Sequence, residues 1–422
     1  MDSGISAKCH NETSLIAMPV LLQLNATANW GSTGRIAEAI GLAAKNHGWE
    51  SYIAYGRRAN PSESELIRVG DLINPYVHYL QSRLFDREGL GSCAATSRLI
   101  WLIDKLAPDV VQIHNIHDHW LNYRLLFEYL NRTPEVKVVW TFHDCWAFTG
   151  HCFHFAQIGC EKWRAGCGAC PLSKVYPKSM IDRSSRNYEL KKEMFSACDN
   201  LTVVACSEWM AGLVRDSFLG DKPVEVIMNG VDVNIFTPMK FCTKDVRYNV
   251  LAVSNVWNRE KGLDDICELR RLLPPDFGIT VVGLSKEQIK NLPSGIDGIG
   301  RVANVDELVR LYNSADVLVN ASYADTFPTV NLEALSCGTP VVTYATGGSP
   351  EAVDDKTGVV VPCGDVVAMA DAVISLKINP LSRSDCRRRA EENFDMDMCS
   401  EKYIRLYDKN IAGYAILPAG EF

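Results

Sequence analysis

DTFPTVNLEALSCGTPVVTYATGGSPE, residues 325–351, is the stretch that most directly predicts the fold of this chain. Its proline at position 328 suits the first turn of a helix, which Asp325 or Thr326 can cap. The run Pro340–Tyr344 is largely apolar rather than alternating, which predicts a strand buried on both faces. Gly347 and Gly348 then form a turn into the next helix. A helix, a buried strand and a glycine turn in this order indicate a parallel α/β sheet.

The same alternation of buried strands and helices recurs along the rest of the chain. Ile36, Ile40 and Ala43 mark the apolar face of one helix, and Gly48 follows where a C-terminal cap belongs. We therefore predict an α/β fold of two doubly wound, Rossmann-like parallel-sheet domains that face a central cleft. The predicted strands are Val20–Asn25, Ser51–Tyr55, Asp109–His114, Val136–Phe142, Leu201–Cys206 and Val224–Met228, then Asn249–Ser254, Ile279–Gly283, Asp316–Asn320, Pro340–Tyr344 and Gly358–Val361.

The length of 422 residues exceeds one ordinary core and suits two domains of roughly 200 residues each. Residues 1–17 lack the basic start and the apolar stretch of a signal peptide, so we expect a disordered tail there. The N-terminal domain is predicted at 18–238, where an Asn-Gly turn and Pro238 precede a polar stretch. The C-terminal domain is predicted at 239–398, and residues 399–422 form a helix expected to pack back on the N-terminal domain.

Composition excludes several classes of protein. Apolar residues at 47% and charged residues at 22% are typical of a soluble globular protein, and the net charge of -8 argues against a nucleic-acid partner. No apolar run approaches the roughly 18 residues of a membrane span. Fifteen cysteines, an odd number, fit a reducing compartment better than a disulfide scaffold. We expect a cytoplasmic protein without a transmembrane segment, in peripheral contact with the membrane.

A glycine turn in the N-terminal domain is suited to an anion. In NATANWGSTGRIAEAI, residues 25–40, Gly31 and Gly34 let the backbone approach a ligand at the start of a helix. The spacing is not that of the dinucleotide-binding fingerprint. A tight turn without a ligand remains an equal alternative.

Histidines are concentrated near the predicted cleft. A lone histidine is more often structural, but strand ends of a parallel sheet converge on the ligand side. His143, which ends the strand in VVWTFHDCW, is therefore the histidine expected to face a ligand. Six of the nine histidines fall within this part of the chain, at positions 114, 117, 119, 143, 151 and 154.

A cysteine-rich insert at about 145–172 follows that strand. Cys152, Cys160, Cys167 and Cys170 have the spacing C-x7-C-x6-C-x2-C, in which the C-x2-C pair supplies two thiolates from one turn. Four thiolates predict a closed, tetrahedral structural zinc site that leaves no open position for catalysis. Separately packed thiols and a redox pair remain open alternatives.

Charged residues follow two predicted strands of the C-terminal domain. In SNVWNREKGLDD, residues 254–265, Arg259 and Lys261 can neutralise a diphosphate leaving group, although a solvated loop is the alternative. Asp325 lies before the next helix and Glu333 within it, so both can line one pocket. An ionised carboxylate accepts two hydrogen bonds, which suits the vicinal diol of a sugar or ribose. Diol recognition beside a phosphate-binding turn indicates a nucleotide-sugar.

These motifs together resemble glycosyltransferase family 4, whose fold is GT-B. The carboxylate–seven–carboxylate spacing of Asp325 and Glu333 is similar to the family's signature, and NWGSTGRI, TFHDCWAFTGHC, NGVDVNIFTP and REKGLDD follow in the expected order. The resemblance covers nearly everything from residue 18 onward. It is nearest to bacterial enzymes of capsule, exopolysaccharide or O-antigen (lipopolysaccharide) assembly that carry a cysteine-rich insert.

The resemblance implies a retaining hexosyltransferase without a catalytic metal, acting on a UDP- or GDP-linked sugar. It implies that Glu333 holds the donor ribose. The donor sugar would be held by Asp325 and by the backbone of Phe327, Pro328 and Thr329.

The remaining roles also follow from the resemblance. His143 would contact the sugar near its anomeric carbon. Gly347, Gly348 and Lys261, assisted by Arg259, would face the diphosphate, and Gly31 and Gly34 would approach the donor phosphates or the acceptor.

The sequence departs from the family pattern at two positions. The first acidic position is Asp325 rather than the usual Glu, which is one methylene longer. Val256 occupies the place of an arginine that often precedes the lysine by five residues.

We therefore expect transfer of a sugar to a growing, lipid-linked saccharide in surface polysaccharide biosynthesis. A GT-B-fold epimerase or hydrolase acting on the nucleotide-sugar is one alternative. A non-catalytic sugar-nucleotide-binding assembly factor is the other.

Overall fold

The computed structural model describes residues 18–239, 247–302 and 304–410. The tail predicted at 1–17 and the last part of the terminal segment, 411–422, lie outside the described residues. Two parallel sheets organise the chain, and each has helices on both faces, which confirms the predicted fold class.

The first sheet has seven parallel strands in the order β3-β2-β1-β4-β5-β6-β7. Its central strands are mostly apolar and almost entirely buried, because helices cover both of its faces. The strands are β1 Val20–Ala28, β2 Glu50–Ala59, β3 Glu65–Arg68, β4 Val110–Ile113, β5 Lys137–Phe142, β6 Leu201–Ala205 and β7 Val224–Val226. The helices are α1 Gly31–Asn46, α2 Asn74–Phe85, α3 Cys93–Leu106, α4 Tyr123–Leu130, α5 Ser184–Ser196 and α6 Glu208–Arg215.

The second sheet has six parallel strands in the order β10-β9-β8-β11-β12-β13. The predicted boundary at 238 lies between β7 and β8. The strands are β8 Tyr248–Val253, β9 Phe277–Val282, β10 Ile296–Ile299, β11 Val317–Asn320, β12 Val341–Tyr344 and β13 Gly358–Val361. The helices are α7 Leu263–Leu272, α8 Lys286–Lys290, α9 Val305–Ser314, α10 Thr329–Ser336, α11 Val366–Ile378, α12 Arg383–Asn393 and α13 Met396–Asn410.

Two strands were missing from the sequence prediction, β3 and β10. Both are four-residue strands at the edge of their sheets, and both carry charged residues: ELIR in β3 and IDGI in β10. An edge strand is buried less completely than a central one, so the apolar run that reveals a central strand is absent there.

The last described helix, α13, lies against α1 of the N-terminal domain. Tyr407 Oη donates a hydrogen bond to Gln112 Oε1 at 2.8 Å, and Tyr403 Oη lies 3.0 Å from Thr141 Oγ1. Both tyrosines are buried. The chain therefore crosses to the C-terminal sheet and returns, which ties the two domains together at this face.

The cysteine-rich insert lies between β5 and α5 and is built from short 3-10 turns rather than regular elements. Trp163 anchors it in the domain core, 1% exposed and packed against Phe155 and Phe148. Among the described residues, no helix has the length and apolar character needed to cross a bilayer.

Candidate active site

The two domains meet at the loop between β11 and α10. Thr326 Oγ1 donates a hydrogen bond to the backbone carbonyl of His143 at 2.8 Å. The carbonyl of Thr326 accepts one from Ser207 Oγ at 3.1 Å, and the carbonyl of Phe327 accepts one from Asn229 Nδ2 at 3.1 Å. The carboxyl end of β5 and the carboxyl end of β11 therefore face the same cleft, as expected for ligand sites of parallel sheets.

The N-terminus of α10 opens into this cleft without a side-chain cap. The expectation that Asp325 or Thr326 caps it is wrong, because Asp325 pairs with Lys261 and Thr326 bonds across the domains. Pro328 is itself the residue preceding the helix. The amides of Thr329 and Val330 have no acceptor among the described residues, and both residues are half-buried. Such amides, with the helix dipole behind them, favour a negatively charged or hydroxyl ligand.

Asp325 and Lys261 form the main ion pair of the cleft. Lys261 Nζ lies 2.7 Å from Asp325 Oδ2, with side-chain exposures of 31% and 19%. The lysine is positioned by a 3-10 turn, Arg259–Lys261, that Asn258 caps through its side chain. A solvent-facing pair of this kind can rearrange on ligand binding, because each charge is only weakly stabilised by its partner.

Glu333 is almost fully buried on α10. Tyr312 Oη donates a hydrogen bond to its Oε2 at 2.7 Å, which leaves the other carboxylate oxygen available. Burial raises the pKa of Glu333, while Tyr312 and the nearby guanidinium of Arg35 act in the opposite direction. Arg35 comes from the start of α1, so this carboxylate lies where the N-terminal domain approaches the C-terminal one.

The glycine pair after β12 supports the same loop by close backbone packing. A Cβ on Gly347 would lie 1.7 Å from the carbonyl oxygen of Asp325, and Gly347 has a left-handed φ of +55°. The amide of Gly348 donates to the carbonyl of Thr326 at 3.0 Å. The helix predicted after this turn is a single 3-10 turn, Ser349–Ala352. These glycines therefore hold the loop that carries Asp325 in place through close backbone packing.

On the N-terminal side of the cleft, Gly31 and Gly34 lie in the first turn of α1. Gly31 has a φ of +71°, and α1 also starts without a side-chain cap. Trp30 precedes them, with the guanidinium of Arg58 at 4.9 Å and that of Arg301 at 5.6 Å from its ring centroid. Arg301 belongs to the C-terminal domain, so cations from both domains converge on the uncapped end of α1.

Two side chains linked by a hydrogen bond, Gln23 and His114, orient His143. Gln23 Nε2 donates to the carbonyl of Ala37 at 2.7 Å, so its Oε1 accepts from His114 Nε2 at 3.1 Å. His114 Nδ1 is then an acceptor for His143 Nε2, 3.1 Å away. Burial lowers the pKa of His143 to about 4 and that of His114 well below its usual value. His143 is therefore neutral at physiological pH, with Nδ1 left as an acceptor.

Asp144 and two further histidines lie beside His143. His117 Nε2 lies 2.8 Å from Asp144 Oδ2; although burial lowers the pKa of His117, the carboxylate raises it to a net value above the usual one. His154, from the insert, has its pKa lowered by burial and feels the charges of Asp144 and Asp325. The sequence assigns His154 no separate role, because nothing in the motif spacing shows that the insert folds toward the cleft.

Arg259 is exposed on the 3-10 turn, and its side chain has no hydrogen-bond or ion-pair partner among the described residues. Tyr323, which feels its charge, donates its hydroxyl hydrogen to Asp265 at 2.8 Å. Val256, in the place where the family often has an arginine, is 68% exposed. Arg259 can therefore swing toward the cleft without breaking an existing contact.

The four cysteines of the insert surround one small cavity. Cys152 and Cys170 are in hydrogen-bond contact, and Cys167 Sγ accepts from the amide of Gly150 at 3.2 Å. A closed zinc site needs all four sulfurs about 2.3 Å from one ion. Within the described residues, one group of three candidate metal ligands has all of its donor atoms within 4.8 Å of one another. That group lies elsewhere in the domain and contains none of these cysteines. The zinc site stays a prediction, and no step of the chemistry depends on it.

The residues predicted for the cleft are thus brought together from both domains. The cleft offers uncapped amides at two helices, a lysine–aspartate pair, a buried glutamate with a free oxygen and a neutral histidine. This set can hold hydroxyls and phosphates.

Comparison with known proteins gives the same assignment for both domains. Residues 33–235 match the family model described as Glycosyltransferase Family 4, and residues 247–379 match the model described as Glycosyl transferases group 1. The chain belongs to the family 4 glycosyltransferases. It is 24% identical over 420 residues to the putative colanic acid biosynthesis glycosyl transferase WcaC of Escherichia coli K12, covering 92% of this chain and 99% of that protein.

Solved structures of other proteins share the fold of this chain. Sucrose-phosphate synthase from Thermosynechococcus elongatus superimposes with a TM-score of 0.66 at 16% identity, over 93% of this chain and 98% of that one. Anabaena Alr3699/HepE, solved with UDP-glucose, superimposes with a TM-score of 0.60 at 14% identity, over 92% and 99%. The two facing sheets are those of a GT-B glycosyltransferase.

Proposed function

We propose that this protein is a retaining glycosyltransferase that moves a sugar from a UDP- or GDP-linked donor to a lipid-linked saccharide in surface polysaccharide biosynthesis. The observation that carries the proposal is the uncapped N-terminus of α10, flanked by Asp325 and Glu333 and facing His143 across the cleft. UDP-glucose in the HepE structure and the biosynthetic role in the name of WcaC support it.

In this proposal the C-terminal domain holds the donor. Glu333 accepts hydrogen bonds from the ribose diol through its free oxygen, and Asp325 with the amides of Thr329 and Val330 holds the sugar. Lys261 leaves Asp325 as the diphosphate enters and neutralises the charge that develops on it as the anomeric C–O bond breaks.

Arg259, Gly347 and Gly348 also face the diphosphate in this proposal, and Gly31 and Gly34 approach it from the other domain. The neutral Nδ1 of His143 accepts a hydrogen bond from a hydroxyl of the donor sugar. The acceptor hydroxyl attacks on the face from which the diphosphate leaves and gives its proton to the departing diphosphate oxygen, so the anomeric configuration is retained without a protein nucleophile. Closure of the two domains excludes water, which would otherwise hydrolyse the donor.

The test begins with a donor screen by thermal shift, because a ligand that binds only the folded protein raises its Tm. The donor that binds is then incubated with a lipid-linked saccharide, and the anomeric configuration of the product is read by NMR. We expect retention, and loss of transfer in Glu333→Ala with the fold intact. An inverted product contradicts the retaining mechanism. Epimer or free sugar formed without an acceptor supports the epimerase or hydrolase instead.

A further inference from the structure

Helix α2 of the N-terminal domain buries polar side chains and exposes apolar ones. Its buried positions are polar: His78 Nδ1 lies 2.8 Å from Ser92 Oγ while its Nε2 accepts from two backbone amides, and Ser82 donates to Glu88 at 2.8 Å. An ordinary surface helix buries its apolar stripe and exposes its polar one. The exposed positions on and just before α2 are large and apolar: Leu72, Ile73, Tyr76, Val77, Tyr79, Leu80, Leu84 and Phe85.

A second exposed apolar segment lies beside the end of α2. Val175, Tyr176, Met180 and Ile181 are exposed, and the amide of Met180 donates to the carbonyl of Arg83 at 2.8 Å. Exposed apolar residues are normal when scattered, but a contiguous group of this size marks an interaction surface. Tyrosines with aliphatic neighbours are typical of surfaces that contact the boundary of a bilayer.

An arginine-lined cavity of about 340 Å³ lies at the same end of α2. Four arginines line it: Arg87, Arg124, Arg183 and Arg186. The one acidic lining residue in the described part of the chain, Glu128, is paired with Arg124 at 2.8 Å.

The side chains of the other three arginines have no hydrogen-bond or ion-pair partner within residues 18–239, 247–302 and 304–410. Three unpaired guanidinium groups around one cavity repel one another unless an anion neutralises them.

The backbone around the cavity also favours an anion. The helices α3, α4 and α5 begin at Cys93, Tyr123 and Ser184, and residues of all three first turns line the cavity. Their N-terminal dipoles therefore add to the positive potential of the arginines. Asp86 joins the cavity to α2, because its Oδ2 accepts from the amide of Arg183 at 2.7 Å and its carbonyl from Asn187 at 2.9 Å.

We infer that the arginine cavity binds the diphosphate head of a membrane lipid whose hydrocarbon chain lies along the exposed face of α2. A diphosphate matches three unpaired arginines better than the single charge of a phosphodiester headgroup. The exposed face also connects to the cleft: the ring of Tyr176 lies 5.2 Å from that of Phe153, whose own ring lies 4.5 Å from that of His117, the partner of Asp144. Its role as the acceptor's anchor rests on the proposed function, whereas lipid binding itself does not.

The experiment measures flotation of the full chain with three kinds of vesicle. These contain phosphatidylcholine alone, phosphatidylcholine with phosphatidylglycerol, and phosphatidylcholine with a polyprenyl diphosphate at the same total lipid charge. We expect the diphosphate vesicles to bind at least about tenfold more protein than the phosphatidylglycerol vesicles. Inorganic pyrophosphate should compete with them. Equal binding to both charged vesicles, or absence of competition, overturns the assignment of the cavity to a diphosphate.

Variants separate the two parts of the site. Arg183→Gln with Arg186→Gln should lower binding to diphosphate vesicles about tenfold or more, and Leu80→Ser with Leu84→Ser should lower binding to every vesicle. Arg310→Gln, an exposed arginine of the C-terminal domain, is the matched control. If the double arginine variant unfolds, Arg87→Gln replaces it. Unchanged flotation of a folded arginine variant contradicts the inference.

Donor binding distinguishes this inference from the proposed function. Thermal shift with the UDP- or GDP-sugar should be unchanged in all of these variants, because none of the substituted residues lines the donor cleft. Donor binding without lipid binding refutes the lipid site alone. Lipid binding without donor binding refutes the proposed function alone.

Discussion

Replacing Glu333 by glutamine tests the proposed donor site most directly. The substitution keeps the shape of the side chain and one oxygen that can accept from Tyr312, but it removes the charge that a diol would face. A hydrogen bond to a charged group contributes about 1.5–3 kcal/mol and a neutral one about 0.5–1.5. Losing the difference at two hydroxyls weakens binding by about 2–3 kcal/mol, or about 30- to 150-fold.

Isothermal titration of UDP and GDP against wild type and Glu333→Gln measures this loss. Glu193→Gln, an exposed glutamate on α5, is the matched control and should bind as wild type does. The same substitution should leave the fold intact, since it removes a buried charge rather than adding one. Nucleotide affinity within about threefold of wild type would refute the assignment of Glu333 to the ribose.

The stability of this variant should depend on pH in a defined direction. Because burial raises the pKa of Glu333, the folded protein holds this proton at pH values where the unfolded chain has released it. Wild-type stability therefore falls as pH rises from the unfolded value of about 4.3 through the raised folded value. Glu333→Gln lacks this loss of stability. The Tm of the variant minus the Tm of wild type should therefore be larger at pH 8 than at pH 4. A difference independent of pH contradicts the argument.

Four further predictions concern Gly347, Lys261, His143 and the cysteine-rich insert. Gly347→Ala should destabilise the protein by more than about 2 kcal/mol in urea unfolding, because its Cβ would lie 1.7 Å from the carbonyl oxygen of Asp325 at a left-handed φ. Lys261→Met should weaken nucleotide-diphosphate binding about tenfold or more in titration while Lys261→Arg retains most of it, since the charge rather than the shape is needed. With the pKa of His143 lowered to about 4, the pH–rate profile should show no inflection from this residue between pH 5.5 and 8. Metal analysis should find about one zinc per chain in wild type and less in Cys167→Ser; zinc near zero in both contradicts the predicted site.

The central parts of the fold could be predicted from the sequence because burial on both faces leaves a largely apolar run without polar alternation. VVQI of β4 and VVTY of β12 are examples, and both strands are fully buried. The edge strands β3 and β10 carry charged residues and could not be recognised in this way.

The cleft shows the same division between local and distant features. That Asp325 and Glu333 flank the start of α10 follows from their spacing on one loop and helix. The charge of Arg35 that acts on Glu333, and the guanidinium of Arg301 over the ring of Trp30, involve residues far apart in the chain. Local spacing carries no information about such pairs, because only the docking of the two domains brings them together.

The loop before α10 connects donor binding to domain closure. Thr326 and Phe327 hold the N-terminal domain through their side chain and carbonyls, while the next residue along the chain begins the uncapped helix end. Glu351, just after the glycine turn, accepts hydrogen bonds from two amides at the start of α6, each at 2.8 Å. A donor that orders this loop therefore strengthens contacts already made across the domain interface, and separating the domains disturbs the donor site. Thr326→Val removes one such contact and leaves the residues that touch the donor unchanged. It should weaken nucleotide binding several-fold, because it lowers the population of the closed form. Nucleotide affinity equal to that of wild type, together with an unchanged radius of gyration in solution scattering, would show that closure and donor binding are independent.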